Sequence, residues 1–222
     1  TTDLGAAYRV DMRLRPEGSA GPIVTSLEST LQYYDVLGRT WERQAYVKAR
    51  PCAGDVDLGT EFLGYLESWI YRRYLGLADI TGIKALKRRI EQRVIREGHE
   101  DRNVKTGRGG IRDVEFVVQY LQLAYGNQYP DLRGRATLQI LPRLARHHLL
   151  TNEETRILAD GYTLMRTIEH YIQVMHYQQT YTMPSDPESL ALLAGRLGFK
   201  STDALIHRYD EHRKAIRTIY LR

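Results

Sequence analysis

The sequence predicts a mainly α-helical protein entered through one β-strand. Three observations predict it. Apolar residues recur at three- and four-residue spacing through most of the 222 residues. Helix-start signatures of the Ser/Thr-x-x-Glu kind open two of these stretches, at Thr25 and Thr151. Strict apolar–polar alternation stands out at the amino-terminal end, in Tyr8-Arg-Val-Asp-Met-Arg-Leu-Arg-Pro16.

That alternation places Tyr8, Val10, Met12 and Leu14 on one face and Arg9, Asp11, Arg13 and Arg15 on the other. Pro16 and Gly18 end the strand. One carboxylate among three guanidiniums cannot neutralise them. The polar face is either a solvated, salt-bridged surface or a site for a phosphate group, with Asp11 suited to a bridging divalent metal.

Helices follow in order. Thr25-x-x-Glu28 starts one that runs to about Leu37, stopped by Gly38. Arg39 to about Ala49 forms a second, ended by Pro51, and Ala53-Gly54-Asp55 is a loop. Leu58 to Tyr74 is a third. Asp79 to Arg96 is a fourth, with Ile80, Ile83, Leu86, Ile90 and Val94 in one stripe. Ile111 to Tyr125 is a fifth, ended by Gly126. Thr151-x-x-Glu154 opens a long helix to about Gln178, in which Leu158, Tyr162, Met165, Ile168/Glu169 and Ile172 share a stripe. Met183-Pro-Ser-Asp-Pro187 breaks it. Ser201 caps the last helix, which carries Leu205, Ile206, Tyr209, Ile216 and Ile219.

Composition bounds the function. The formal charge is +5, from 32 basic and 27 acidic residues, which suits phosphate-bearing partners. No run is long and apolar enough to span a bilayer, and Thr1-Thr-Asp-Leu-Gly5 is not a signal peptide. Cys52 is alone, which excludes an internal disulfide and a cysteine zinc site and fits a reducing cytoplasm. The seven histidines form no HExxH-type pair. Both ends read as cut points in a longer protein, because a lone strand cannot satisfy its edges and the last helix has no stop signal.

The second motif is Lys105-Thr-Gly-Arg-Gly-Gly-Ile-Arg-Asp-Val-Glu-Phe116. A glycine-rich loop leading into a helix presents free N–H groups to an anion, and Lys105, Arg108 and Arg112 surround Gly109 and Gly110. It is neither a Walker A loop nor a dinucleotide fingerprint. The helix behind it is apolar nearly all round, so it is buried. Asp113 then either sits in an exposed first turn or is a buried carboxylate, while Glu115 calls for a buried partner, an arginine. A third cluster is Trp41-Glu-Arg-Gln-Ala-Tyr-Val-Lys-Ala-Arg50. Trp41 reads as core rather than as a stacking platform, and Lys48 and Arg50 as phosphate ligands or solvated charges.

Taken together, Val10 to Gly18, Gly21-Pro22, Trp41-Glu-Arg43 with Lys48-Ala-Arg50, and Gly109 to Phe116 resemble the glutamine synthetase adenylyltransferase family over nearly the whole chain. The resemblance implies a remnant β-strand or hairpin of a polymerase-β-like nucleotidyltransferase domain, its carboxy-terminal part, over 1–55. It implies a helical bundle over 56–222 that frames the nucleotide cleft and docks glutamine synthetase. Such enzymes attach AMP to a tyrosine of glutamine synthetase in one half and remove it by phosphorolysis, giving ADP, in the other. Gly107-Arg-Gly-Gly-Ile-Arg-Asp113 and Asp11-Met-Arg-Leu-Arg15 look more like the removing half.

The resemblance makes Asp11 the catalytic carboxylate and a ligand of a two-Mg²⁺ site. It makes Arg9, Arg13, Arg15, Lys48, Arg50, Lys105, Arg108, Gly109, Gly110, Arg112, Asp113 and Glu115 the substrate- and phosphate-binding set. ATP, ADP and phosphate are the implied small molecules, and glutamine synthetase and the PII signal protein the implied partners. The family's Gly-Ser loop and Asp-x-Asp pair are absent upstream of Asp11, and Asp55-Val-Asp57 lies in the wrong context. This piece alone would therefore lack two metal ligands and be inactive. The alternatives are the AMP-adding half, which uses ATP, and a helical protein-interaction module without catalysis of its own. A nucleic-acid-binding domain ranks last, since no RNA module is recognisable and the net charge is modest.

Overall fold

The computed structural model describes residues 10–74, 76–96, 98, 101–176 and 180–222. Among these residues it contains nine α-helices: α1 (Leu27–Val36), α2 (Thr40–Tyr46), α3 (Val56–Ile70), α4 (Leu77–Arg96), α5 (Ile111–Tyr125), α6 (Thr137–Arg146), α7 (Asn152–His176), α8 (Pro187–Arg196) and α9 (Thr202–Tyr220).

Local chemistry sets most of the helix starts. The Asp55 carboxylate accepts from Leu58 N at 2.9 Å, and Ser201 Oγ accepts from Ala204 N at 3.1 Å. At Thr151 the expected box closes in both directions: Glu154 N donates to Thr151 Oγ1 at 3.1 Å, and Thr151 N donates to Glu154 Oε2 at 2.9 Å. The first helix starts one residue later than its signature. Ser26 Oγ accepts from Ser29 N at 3.2 Å, while Thr25 Oγ1 is bonded to Thr30 Oγ1 at 2.7 Å.

Two helices, α6 and α8, lie outside the sequence expectation. The Met183–Pro187 break also starts α8: the Asp186 side chain accepts from Ser189 N at 2.8 Å, and Pro187 fits the first helical position. Pro142 lies inside α6, and a proline within a run argues against a helix when sequence alone is read.

The expected amino-terminal strand is corrected. Tyr8 and Arg9 lie outside the described residues. Met12–Leu14 is a 3₁₀ turn, with the Asp11 carboxylate accepting from Arg13 N at 3.0 Å. Without a neighbouring strand the backbone has no ladder to join, and a short aspartate side chain offers its N–H groups a local alternative. The expected apolar face is open to solvent, with Val10 80% and Leu14 55% exposed. The β pairing among the described residues is an isolated antiparallel bridge between Asn103 and Thr182.

The core has two parts joined by α5. Ile111, Val114 and Val118 face an aliphatic cluster built with Ile140, Leu144, Leu158, Met165, Leu205 and Ile216 from α6, α7 and α9. Phe116 and Leu123 face the other way, into a cluster with Tyr34, Trp69 and Ile83 from α1, α3 and α4. A helix sandwiched in this way must be apolar on nearly every side, as its sequence is. Tyr34 is wholly buried; its hydroxyl accepts a 2.9 Å bond from Tyr46, and its ring lies 5.0 Å from Trp69. Gly38 is required there, because a Cβ would stand 2.4 Å from the Trp69 ring. The core tryptophan is therefore Trp69, 8% exposed, whereas Trp41, expected in the core, is 36% exposed.

Candidate functional site: the glycine loop and two charge networks

Residues 103–110 fold back on themselves before α5 begins. Asn103 Oδ1 accepts from Lys105 N at 3.1 Å and Thr106 N at 2.9 Å, an Asx turn. Ile111 N donates to Val104 O at 3.0 Å and Arg112 N to Lys105 O at 2.9 Å. Gly109 N donates to the Asp113 carboxylate at 2.8 Å. The N–H groups that an anion would need at this helix start are thus bonded within the protein, and Asp113 supplies the negative charge the helix dipole favours.

The two glycines answer to close packing. Gly109 has φ +70°, and a Cβ on it would lie 2.0 Å from Arg213 O in α9. A Cβ on Gly110 would lie 2.7 Å from Val104 O. The backbone approach that glycine permits here is to α9 and to the loop itself.

Asp113 is fully buried. It pairs with Lys87 of α4, itself 1% exposed, and with Arg217 of α9 at 3.2 Å. Glu91 completes the group, 2.6 Å from Arg217 and 3.4 Å from Lys87. Two cations and two carboxylates balance, which is the condition for keeping such charges out of water. Burial opposes ionisation of Glu91, but the hydrogen bond from Arg217 and the charges of Lys87 and Arg217 outweigh it and hold the carboxyl below the ordinary range. Of the two readings open for Asp113, the exposed first turn is excluded.

A second network lies on the α5–α7 side. Glu115 accepts from Arg166 at 2.7 Å, the arginine its position called for, although that arginine is half-buried, with 30% of its side chain exposed. Arg166 also reaches Glu169 at 2.6 Å and the Tyr162 hydroxyl at 3.1 Å. Glu169 pairs with Lys105 at 3.2 Å, whose ammonium lies 4.0 Å from the Tyr181 ring centre. Lys48 donates to Arg135 O at 2.6 Å and to Thr137 Oγ1 at 2.9 Å. Burial pulls the Lys48 ammonium down from its usual range; the charge of Glu115 opposes that shift and the charge of Arg166 adds to it. Desolvation opposes the Arg166 charge, but hydrogen bonds to Glu169 and Tyr162 raise it further above its already high range.

Arg112 stands three residues before Glu115 on the same helix. It is half-buried, its Nε is covered, and its guanidinium has no hydrogen-bond or ion-pair partner among the described residues. The structure thus brings Lys48, Lys105 and Glu115 together through Arg166 and Glu169, with Arg112 one helical turn away. Gln44 Nε2, donating to Gln119 Oε1 at 2.8 Å, ties α2 to the same helix.

The amino-terminal set stays apart. Arg13 forms a two-point pair with Asp11, Nε to Oδ1 at 2.8 Å and Nη2 to Oδ2 at 2.5 Å. The Arg15 guanidinium donates to Met12 O, Gly21 O and Pro22 O. Arg50 and Arg108 are exposed, and Arg9 lies outside the described residues. Among the described residues no group of three or more His, Cys, Asp or Glu side chains is placed to hold a metal. Asp11, forked with Arg13, is one carboxylate where a divalent ion takes about six ligands, so the residues present do not make a magnesium site.

Lys87, Arg166 and Arg217 are partners the sequence reading missed. Lys87 was detectable. It lies four residues after Ile83 and three before Ile90, inside the apolar stripe of α4, where a lysine needs a buried acid. Arg166 and Glu169 form an i,i+3 pair that straddles the edge of the α7 stripe.

Comparison with known proteins covers nearly the whole chain. Residues 84–221 match the family model described as GlnD PII-uridylyltransferase, and residues 1–65 match that of glutamate-ammonia ligase adenylyltransferase. A bifunctional glutamine synthetase adenylyltransferase/adenylyl-removing enzyme of Mesorhizobium japonicum is 41% identical over 89% of this chain and 20% of its own length. Its namesake from Methylococcus capsulatus is 38% identical over 99% of this chain and 23% of its own length. That of Nitrosococcus oceani is 38% identical over 97% and 22%. The chain spans about a fifth of the length of these relatives. No described helix is long and apolar enough to cross a membrane. From one end to the other, then, the chain belongs to the glutamine synthetase adenylyltransferase/adenylyl-removing enzyme family.

Proposed function

We propose that this chain is part of an enzyme that controls glutamine synthetase, and that it comes from the half that removes AMP. The reading rests on end-to-end similarity to the bifunctional relatives, 38% identical over 99% of the chain in one case. Within it, Gly-Gly-Ile-Arg112-Asp113 favours the removing half. Residues 1–55 are assigned to the end of the nucleotidyltransferase domain and 56–222 to the helical bundle.

In the reaction, an oxygen of inorganic phosphate attacks the phosphorus of the tyrosyl-AMP link. The bond from phosphorus to the tyrosine oxygen breaks, that oxygen is protonated, and ADP leaves. Arg112, a half-buried guanidinium without a partner among the described residues, is the group here best suited to a phosphate oxygen. Lys48 and Lys105 add positive charge to the same side of α5. Asp11 is the carboxylate assigned to the reaction centre. Magnesium is assigned to the parent enzyme and not to this chain, whose described residues supply one carboxylate.

The test uses the full-length parent, adenylylated glutamine synthetase, Mg²⁺ and labelled phosphate. Labelled ADP is expected, lost in Asp11→Asn and reduced about tenfold or more in Arg112→Ala. AMP transfer from ATP, without ADP release, assigns the adding half. A second reading has its own observation, the match of residues 84–221 to the PII-uridylyltransferase model. It predicts UMP transfer from UTP to PII in the same assay series. No transfer of either nucleotide, with glutamine synthetase or PII still bound, returns the chain to an interaction module.

A further inference from the structure

Beside the glycine loop, the turn at 101–108 and helix α9 line an open cleft of about 710 Å³. That is within the range of small-molecule sites, roughly 300–1,000 Å³. Of the residues the resemblance assigned to phosphate, Arg108 lines it, whereas Lys48, Lys105 and Arg112, the cations assigned to the reaction, do not.

Its charge is one-sided. Five basic side chains line it against two carboxylates, Asp101 and Asp210. Arg213 engages both carboxylates, at 3.2 and 3.4 Å. Arg217 is committed to Glu91 and Asp113 beneath the cleft. Arg102 and Lys214 line the cleft and have no side-chain partner among the described residues. A concave surface with surplus cations concentrates anions.

The cleft also has an apolar part, bordered by a tyrosine whose hydroxyl is unsatisfied. Met183 and Ile206 line it, and so does Tyr209. Tyr209 is 1% exposed, and its hydroxyl is buried with no hydrogen-bond partner. Buried hydroxyls are normally satisfied, and one that is not calls for an explanation. The Arg213 guanidinium lies 5.3 Å from the Tyr209 ring centre, so the ring and the charge present one continuous wall.

We propose that this cleft is a binding site for a nucleoside phosphate, separate from the reaction centre. Arg102 and Lys214 hold its phosphates, Met183 and Ile206 pack against its base, and the Tyr209 hydroxyl bonds a sugar or phosphate oxygen. The ligand bridges the glycine-loop turn to α9, and Arg217 of α9 belongs to the Lys87–Asp113 network. Occupancy is therefore reported to the start of α5.

Pyridoxal 5′-phosphate tests the site in the full-length protein. Its aldehyde forms an imine with a lysine beside an anion site, and borohydride fixes the adduct for peptide mapping. Lys214 is expected to be labelled at least tenfold faster than exposed Lys200, with ADP protecting it and adenosine failing to. In Arg102→Ala the ADP concentration for half-protection is expected to rise at least tenfold, and in Tyr209→Phe about threefold, with thermal unfolding of both variants unchanged. Equal labelling of Lys214 and Lys200 would overturn the site. Protection by inorganic phosphate as good as that by ADP would overturn the nucleoside. Protection by ADP that survives Arg102→Ala would place the nucleotide elsewhere.

Discussion

Residues 10–21 and residues 103–113 both gather arginines, glycines and an aspartate, and their aspartates sit in opposite surroundings. Asp11 is answered by Arg13 two residues away, in solvent, with its side chain 38% exposed. Asp113 is answered by Lys87 and Arg217 from two other helices and by Gly109 N, with no exposure at all. In the loop Asp113 and Gly109 hold α4, α5 and α9 together, while Arg112 has no partner among the described residues. In the amino-terminal segment the charges and glycines hold only a local turn, where a Cβ on Gly21 would lie 2.2 Å from Pro16 O, and they join no helices together. A side chain that packing explains, such as Asp113, needs no ligand to justify it; one that packing leaves unexplained, such as Arg112, does.

The contrast breaks most sharply at Gly109. Alanine there must adopt a positive φ and also push its Cβ off Arg213 O, 2.0 Å away. Neither strain can be relieved by a side chain, because the obstacle is helix backbone. Gly109→Ala is expected to cost about 3–5 kcal/mol, the range of the severest single substitutions. It should appear as a large fall in Tm by circular dichroism. Gly18, at φ +59°, meets only Arg13 O at 3.5 Å, so Gly18→Ala should cost no more than about 1–2 kcal/mol of backbone strain.

Asp113→Ala comes next. It strands Lys87 in the core, and breaking a buried pair costs about 3–5 kcal/mol. The double variant Lys87→Met/Asp113→Ala removes the stranded charge and should recover at least half of that loss in urea melts. Recovery of nothing would mean that Asp113 acts through Gly109 N alone.

The network also sets a pH dependence. The Glu91 carboxyl is held below its ordinary value of 4.5, so it binds fewer protons in the folded protein than in the unfolded one. Its stabilisation is complete above that value and is lost as pH falls through the lower, folded value. Glu91→Gln should therefore lower Tm at pH 6–7, and the gap from wild type should close towards pH 3. A gap that is constant with pH would show that Glu91 contributes packing and not charge.

How much of this was legible depends on how local the cause is. The capping box at Thr151, the Ser201 cap, the extent of α5 and the arginine partner of Glu115 all follow from residues within a turn or from a carboxylate on an apolar helix. The 3₁₀ turn at Met12–Leu14 did not follow, because alternation shows which residues could share a strand face but not whether a partner strand exists. The role of Gly109 was half legible. Three glycines in four residues announce a close approach, but only the path of α9, a hundred residues later, shows what approaches. The exchange of Trp41 for Trp69 in the core has the same origin: both sit in apolar patterns, and the choice is made by where α1 crosses α3.

The smallest effect expected on stability is the most informative about function. Asp11→Asn removes a carboxylate that is 38% exposed and holds only the 3₁₀ turn at Met12–Leu14, so Tm should fall by no more than about a degree or two. If the carboxylate belongs to the reaction centre, the same substitution should abolish ADP release by the full-length parent. Arg13→Ala separates the two roles of the pair. It takes Arg13 away from Asp11 without removing the carboxylate, so a parent that stays active in Arg13→Ala but not in Asp11→Asn assigns the chemistry to the carboxylate. Equal loss in both would mean that the 3₁₀ turn, which both side chains hold, is what the reaction needs.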